Sequence, residues 1–462
     1  MEHPSFYKDK TVLVLGLAKS GQAAAQLFQE YGANVIINDK KEKEFCPEAE
    51  ALEALGITVI CGGHPPDLIH SDITLVVKNP GIPYHVPLIQ KAIEMEIEVV
   101  TEIEVAYHIS EAPMIGITGS NGKTTTTSIV GDILSAANQL PIVAGNIGTP
   151  LCEVAKDAKS NQWIVAELSS FQLKGIRQFK PKISCLLNIY ETHLDYHRTL
   201  EDYIESKKNL FKNQTIEDIA VVNWDDEICR NLAKEIEATV LPISSKKQLE
   251  YGVYISKGKI VYKDNNGIEH FIIETQSLGV GVKHNQENAL SAAAIAIAAN
   301  TELKVIRGVL EHFNGIEHRL EFVAFKDGIE FYNDSKATNP TATNKALEAF
   351  EENVILIAGG LDRGSDYMEL LPLFKTRIKA LVTLGETREK LKKIAELAEI
   401  NFFQSVETYQ NENDAMNQAV ILSKQIAGKG DVVLLSPASA SWDMFKTFEE
   451  RGRMFKEAVH NL

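Results

Sequence analysis

One stretch of the chain, with three residues downstream of it, has the makings of phosphoryl chemistry. Residues 114–134 read MIGITGSNGKTTTTSIVGDIL. The phosphate-loop pattern G-x-x-x-x-G-K-[ST] would place its first glycine at position 117, which is Ile117; the glycines stand at Gly116 and Gly119. Gly119, Ser120, Asn121 and Gly122 still form a small-residue loop whose backbone N–H groups can converge on an anion. Lys123 would pair with the outer phosphates of ATP and the Thr124 hydroxyl would reach Mg²⁺. Mg²⁺ prefers oxygen ligands and takes few from the protein. Glu167 ends the strand-like run WIVAELSS and His193 follows ISCLLNI, the strand ends where α/β ligands collect. Each is either a metal contact or a satisfied loop residue. TLEDYIESKKNLF reads as a helix with Thr199 as its N-cap. Its Leu200, Tyr203, Ile204 and Lys207 share one face, so a lysine sits on an apolar stripe. Snorkelling is the plain reading of such a lysine.

Positioning these residues requires strands that end beside one another. Short β-branched runs such as TVLVLG and NVIIND alternate with helical stretches such as GQAAAQLFQEYG almost throughout, which predicts βαβ units and parallel sheets. A second series starts at APMIGITG and a third near Gly315. Between about 215 and 283 the texture changes, and GVYISKGKIVYKDNNGIEHFIIE predicts a small antiparallel insertion. The expectation is an α/β chain of three domains. Residues 1–110 form a Rossmann-like domain, 111–314 a central P-loop ATPase-like domain with the antiparallel insertion, and 315–462 a second Rossmann-like domain. In the first domain, Gly16 and Gly21 match the outer glycines of G-x-G-x-x-G, but Ala18 replaces the middle one that lets a backbone approach a pyrophosphate. Ala18, Lys19 and Ser20 at a helix N-terminus suit a diphosphate held less closely. Asp39 ends the second strand, and Asn79 lies in a rigid Asn-Pro-Gly turn. A bare strand–turn–helix fits the same residues.

Bulk properties narrow the partners. The chain has 462 residues, 44% hydrophobic and 24% charged, with formal net charge −16, an ordinary globular composition whose field repels nucleic acid and anionic membranes. No run approaches the length of a membrane span. Five scattered cysteines, none in a C-x-x-C pair, read as reduced thiols. The N-terminus lacks the order of a secretory leader. The expected location is the cytoplasm.

GITGSNGKTTT, GNIG, ELSSFQL, ETHLDYH, ESKKNLF, KHNQENALSAAA and GIEHRLE, in this order over essentially the whole chain, resemble the Mur ligases, the ATP-dependent amide ligases of peptidoglycan assembly. The family's own loop also lacks the outer glycine. YNDSKATNPTAT and LLSPASASWDMFKTFEERG resemble the branch that adds D-glutamate to UDP-N-acetylmuramoyl-L-alanine. The resemblance implies roles. Gly119 to Thr125, with Asn288, Arg319 and Asp334, would hold the nucleotide. Thr124, Glu167, His193 and Lys207 would hold two Mg²⁺ ions, Lys207 as a carbamate. Lys123, His193 and Lys207 would be catalytic. Ala18, Lys19, Ser20, Asp39, Asn79 and Asn146 would bind the UDP-muramoyl substrate. Lys336, Thr338, Arg363, Ser441, Trp442 and Phe448 would bind D-glutamate. A monomer suffices for this. The resemblance sets two positions apart: Arg363, where some members carry lysine, and Trp442, which replaces a smaller apolar residue.

Overall fold

The β-branched runs pair into parallel strands because both faces are covered by helices, which is why they read as unbroken apolar stretches. The structure is a computed structural model and describes residues 1–65, 67–283, 285–407 and 409–462. The chain divides into two units, Met1–Leu278 with Asn285–Glu311, and Gly279–His284 with His312–Leu462. Among the described residues the strands form three sheets, two in the first unit and one in the second.

The first sheet holds β1 (Thr11–Leu15), β2 (Asn34–Asn38), β3 (Thr58–Ile60), β4 (Ile73–Lys78) and β5 (Glu98–Val100) in the order β3-β2-β1-β4-β5, all parallel. The order reverses between β1 and β4, and the loops leaving these two strands open the crevice where such sheets bind ligands. Helix α1 (Lys19–Glu30) buries Ala23, Ala24, Ala25, Leu27 and Phe28. Gly21 lets it pack this close: a Cβ there would lie 2.0 Å from the Gly16 carbonyl oxygen.

The second sheet holds β6 (Met114–Thr118), β7 (Pro141–Gly145), β8 (Trp163–Glu167), β9 (Ile183–Leu186), β10 (Ile219–Asn223), β11 (Thr239–Ser244), β12 (Gly252–Ser256), β13 (Lys259–Lys263) and β14 (Glu269–Glu274), ordered β14-β13-β12-β11-β10-β9-β6-β8-β7. The expected antiparallel insertion is present, and it extends the central sheet. β12 pairs parallel with β11, and β13 and β14 then add antiparallel to the same sheet. The hairpin turn was written in Asn265-Asn266-Gly267; the edge it attaches to was not. Again the order reverses, here between β6 and β9. The helices of this unit that bear on the site are α2 (Lys123–Ala136), α3 (Ser170–Leu173), α4 (Leu194–His197), α5 (Leu200–Lys208) and α6 (Gln286–Ala298). His284 of the motif before α6 lies outside the described residues.

In the second unit, β15 (Glu321–Lys326), β16 (Ile329–Asn333), β17 (Val354–Ala358), β18 (Ile378–Thr383), β19 (Phe402–Ser405) and β20 (Val432–Leu435) are ordered β15-β16-β20-β17-β18-β19, parallel except for β15. Helices α7 (Pro340–Leu347) and α8 (Phe448–His460) follow β16 and β20. The loops after β16, β20 and β17 are therefore neighbours.

Two buried carboxylates tie the segment between β5 and β6 to the second sheet. Glu104 accepts hydrogen bonds from the backbone N–H groups of Arg177, Gln178 and Phe179 at 2.7–3.0 Å. Burial opposes its ionisation, but His108 and these N–H groups hold its pKa below the usual range. Glu102 accepts from the Cys152 N–H at 2.6 Å, and burial pushes its pKa up to about 7. Its folded pKa exceeds the unfolded one, so its contribution to stability is greatest below about pH 4.5 and is lost as pH rises towards about 7. Glu102→Gln keeps an acceptor for Cys152 and removes the ionisation. Its melting temperature is expected to exceed the parent's at pH 8, by the equivalent of up to about 3 kcal/mol, and to match it near pH 4.5. Equal melting temperatures at both pH values would refute this.

Candidate active site

At the β1/β4 crevice the structure gathers Ala18, Lys19, Ser20, Asp39 and Asn79. Ala18 caps α1 in an extended conformation. Asp39 accepts from the Leu17 and Lys41 N–H groups at 2.8 and 3.0 Å, and so fixes the turn after β1. The Asn79 amide donates to the Ser20 hydroxyl at 3.4 Å, and its oxygen accepts from the Gly81 N–H at 3.2 Å. A residue outside the expected set anchors this turn. The Lys78 ammonium is buried and donates to the carbonyls of Asn79, Pro80 and Ile82 at 3.4, 3.2 and 2.9 Å, and to the Tyr196 hydroxyl at 3.2 Å. Burial, with Lys174 nearby, pushes its pKa down to about 7.

The β6/β9 crevice holds the phosphate loop. Gly122 lies in the left-handed region at φ 81°, and a Cβ there would stand 2.3 Å from the Asn288 oxygen, so α6 closes over the loop only because glycine is present. Asn188, at the end of β9, shapes the loop from the other side. Its carbonyl accepts from the Ser120 N–H at 3.0 Å and its side-chain oxygen from the Asn121 N–H at 2.9 Å. Tyr203 meets the Ser120 hydroxyl at 2.8 Å. Lys123 donates to the carbonyls of Gly119 and Ser120 at 2.8 and 3.0 Å. Thr124 is buried and Thr125 half-buried on the first turn of α2.

Snorkelling is excluded for Lys207. The residue is 1% exposed, and its amine donates to the Gly119 carbonyl at 2.9 Å and the Thr118 hydroxyl at 3.2 Å. Burial, reinforced by the Lys123 charge, pushes its pKa well below the ordinary lysine range. Glu167 accepts from the Asn146 amide at 2.8 Å through Oε1. Its Oε2 is buried without a hydrogen-bond partner among the described residues. A buried lone carboxylate oxygen is costly unless a ligand completes it, and a hard cation is the partner it suits. His193 is exposed, adopts φ 58°, and presents its ring edge-on to Phe171 with centroids 5.1 Å apart. Among the described residues no three His, Cys, Asp or Glu side chains converge as a metal-ligand set. The oxygen donors that the sequence assigns to this crevice, the Glu167 carboxylate and the Thr124 hydroxyl, are of the type Mg²⁺ prefers.

In the second unit, the Asp334 carboxyl accepts from the Ser436 hydroxyl at 2.8 Å and the Leu320 N–H at 3.2 Å. Burial pushes its pKa up to about 7, against the pull of Arg319 and Arg451. Lys336 lies 5.8 Å from the Phe448 ring centroid. Thr338 is half-buried on the same turn, its N–H donating to the Lys336 carbonyl at 2.9 Å. Ser441 is buried. Arg363 and Trp442, both expected at the amino-acid site, lie against each other. The Arg363 guanidinium sits 4.7 Å from the ring of Trp442, which is 65% exposed. Such a stack steadies an otherwise mobile cation.

Sequence reasoning missed Lys78, Asn188, Ser436 and Arg451. A polar residue directly after an apolar strand is a usable signal for Asn188 and Ser436. Arg451 carried none.

A parallel-sheet fold with a nucleotide loop at its switch point defines an α/β nucleotide-dependent enzyme. The family model of the Mur ligase middle domain matches residues 117–296, that of the Mur ligase glutamate ligase domain 318–439, and that of the MurD-like N-terminal domain 10–101. The chain belongs to the Mur ligase family. A UDP-N-acetylmuramoylalanine--D-glutamate ligase of Geobacillus sp. (strain WCH70) is 51% identical over 463 residues, spanning 100% of both chains. One of Bacillus cereus (strain G9842) is 48% identical over 456 residues, spanning 99% of this chain and 98% of that one. Among solved structures, a MurF of Acinetobacter baumannii superposes with a TM-score of 0.56 at 17% identity, covering 97% of this chain and 93% of the other. That likeness speaks for the fold alone. Among the described residues no helix is long and apolar enough to cross a membrane.

Proposed function

We propose that this chain joins D-glutamate to UDP-N-acetylmuramoyl-L-alanine, using ATP and releasing ADP and phosphate, as a step of peptidoglycan precursor synthesis in the cytoplasm. It acts as a monomer. Residues 1–110 bind the UDP group, 111–314 bind ATP, and 315–462 bind the incoming amino acid. The observation that supports this most is the floor of the phosphate loop, where the buried Lys207 amine, its pKa pushed well below the ordinary lysine range, stands at the Gly119 carbonyl and Glu167 keeps an unpartnered oxygen.

The substrate's alanyl carboxylate attacks the γ-phosphorus of ATP to give an acyl phosphate, which the D-glutamate amine then attacks as phosphate leaves. The loop from Gly119 to Thr125 cradles the phosphates through the backbone N–H groups that Asn188 does not hold, and Lys123 sets its charge against the charge that builds there. The neutral Lys207 amine is the form that takes up CO₂, R–NH₂ + CO₂ → R–NH–COO⁻ + H⁺, and the carbamate turns a donor into an oxygen ligand. Glu167, the Lys207 carbamate, His193 and Thr124 would hold two Mg²⁺ ions, which supply charge stabilisation when bound. Asn146 orients Glu167 and faces the muramoyl substrate. Asn288, Arg319 and Asp334 engage the nucleotide. Ala18, Lys19, Ser20, Asp39 and Asn79 hold UDP. Lys336, Thr338, Arg363, Ser441, Trp442 and Phe448 line the amino-acid site.

The test is phosphate release from ATP and Mg²⁺ with the UDP-muramoyl acceptor and either D- or L-glutamate. The expected result is release that needs both the acceptor and the D isomer. Release with neither isomer, or without acceptor, on folded protein would overturn the reading. Within it, Arg363→Ala loses a charged hydrogen-bond donor. It is expected to raise KM for D-glutamate about 10–100-fold while leaving KM for ATP unchanged. An unchanged KM for D-glutamate would remove Arg363 from the site.

A further inference from the structure

The first unit holds a second hydrogen-bonded chain, buried at its serine and histidine and half-buried at its aspartate, made of residues to which no role has been given. The Ser170 hydroxyl lies 2.9 Å from His197 Nε2, and His197 Nδ1 lies 3.0 Å from Asp202 Oδ2. Serine, histidine and aspartate bonded in this order have the connectivity of a hydrolase triad. The serine cannot serve as a nucleophile here, because Ser170 and His197 are 3% and 2% exposed. A buried, satisfied polar network instead fixes the elements that contribute to it.

The elements it fixes are those of the metal site. Ser170 opens α3, three residues after Glu167. His197 ends α4, one turn after His193. Asp202 lies in the first turn of α5, which carries Lys207 on its next turn. Asp202 is further held by Lys174 at 2.6 Å. The Ser206 hydroxyl, adjacent to Lys207, donates to the Asp202 carbonyl at 2.6 Å and lies 3.5 Å from His197 Nδ1. Phe171 stacks flat on the His197 ring, with centroids 5.4 Å apart and planes 9° apart, and meets the His193 ring at its edge. His197 thus sits where the three segments bearing Glu167, His193 and Lys207 converge.

The backbone says why α4 needs such a fastening. It is four residues long, too short to hold itself. Its flanking residues His193 and Arg198 both lie at positive φ, 58° and 65°, a conformation that non-glycine residues keep only where the surroundings over-determine it. His197, through its two ring nitrogens, is one of those constraints.

We propose that His197 is a positioning residue for the metal site, acting through Ser170 and Asp202 to hold Glu167, His193 and Lys207 in register. This rests on the reading of those three residues given above. Partners of this kind, one bond removed from the ligands, characteristically change metal affinity or rate by about 10–100-fold when lost.

The experiment compares the full-length parent with His197→Ala, His197→Asn, His197→Gln and Ser170→Ala. Mn²⁺ stands in for Mg²⁺, with a non-hydrolysable ATP analogue present, and free Mn²⁺ is read by electron paramagnetic resonance. His197→Ala is expected to weaken Mn²⁺ binding about tenfold and to lower kcat about 10–100-fold, with KM for the acceptor and for D-glutamate within about twofold. Asparagine places its amide where Nδ1 stands, and glutamine places its amide near Nε2. Each keeps one arm of the chain, so each is expected to recover part of the affinity. Ser170→Ala breaks one arm with the smallest change in volume; should His197→Ala fail to fold, it carries the same test. Parental Mn²⁺ affinity and kcat in folded His197→Ala, or in folded Ser170→Ala in its place, would overturn the proposal. A loss of both that merely tracks a fall in melting temperature, with no recovery in the asparagine or glutamine variants, would do so too. A parent that binds no Mn²⁺ with nucleotide would overturn the metal-site reading itself, and this proposal with it.

Discussion

Lys207→Ala is expected to lower phosphate release by about a thousandfold or more while nucleotide still binds the loop. The size follows from what the residue does under the proposed function. Removing one preorganised group that meets transition-state charge costs about 10²–10³ in kcat, and here an ion that depends on the carbamate is lost as well. Nucleotide binding survives because Lys123 and the loop N–H groups do not depend on Lys207. Its amine bonds to the Gly119 carbonyl and the Thr118 hydroxyl, acceptors that leave the loop N–H groups untouched. Lys207→Arg separates charge from carbamate, since arginine keeps a cation and takes up no CO₂. It is expected to be as inactive as the alanine variant. Bicarbonate with a short-chain amine is expected to restore part of the activity of Lys207→Ala and none of that of Lys207→Arg, whose side chain fills the space. A Lys207→Ala enzyme within tenfold of the parent would show that the buried amine is only structural.

Lys207 is also where sequence reading went furthest. A lysine on the apolar face of α5 is locally anomalous, and the anomaly shows in the spacing alone. What the spacing could not decide was the direction of the amine. Snorkelling and a buried ligand give the same pattern, and the choice between them depends on β6, more than eighty residues earlier. The phosphate loop was legible for a similar reason. Gly119 and Gly122 are local backbone requirements, and Ile129, Val130, Ile133 and Leu134 of α2 are a local periodicity that the structure buries. Lys78 shows the limit. It ends β4 and was not singled out in the sequence, yet three carbonyls of the following turn and Tyr196 enclose it. Turn carbonyls carry no side-chain signature, so nothing in the composition of Asn79-Pro80-Gly81-Ile82 announces that they collect a cation. The β12–β14 ribbon divides the same way: its Asn265-Asn266-Gly267 turn is local and was read, whereas its attachment to β11 is a long-range pairing.

Arg451→Met is expected to destabilise the second unit by about 3–5 kcal/mol, the cost of leaving several buried polar groups without a partner. Arg451 is fully buried in α8. Its guanidinium donates to the Ser335 hydroxyl at 3.0 Å, the Ser335 carbonyl at 2.8 Å and the Ser439 carbonyl at 3.1 Å, and so it clamps the turn after β16 to the loop after β20. Methionine fills the space but donates nothing, and two buried carbonyls and a hydroxyl lose their partner. Burial pushes the Arg451 pKa down to about 9, against the pull of Asp443 and Asp334, so the group is charged at neutral pH and sustains those carboxylates in turn. This makes the loss depend on pH. Asp334, raised to about 7 by burial, favours the folded state most when protonated, and that contribution is lost as pH rises from about 4 to about 7. At pH 5 Asp334 is protonated with or without Arg451, and only the hydrogen bonds are missing. At pH 8 the parent holds an ionised Asp334 beside two cations, and the variant beside Arg319 alone. Urea unfolding of the full chain, followed by a probe in the second unit, is therefore expected to show a larger deficit at pH 8 than at pH 5. A deficit independent of pH would mean that Arg451 acts through its hydrogen bonds and not through its charge. Because the turn it clamps carries Asp334, Lys336 and Thr338, Arg451→Met is also expected to raise KM for D-glutamate at temperatures where it remains folded, which a residue serving stability alone would not do.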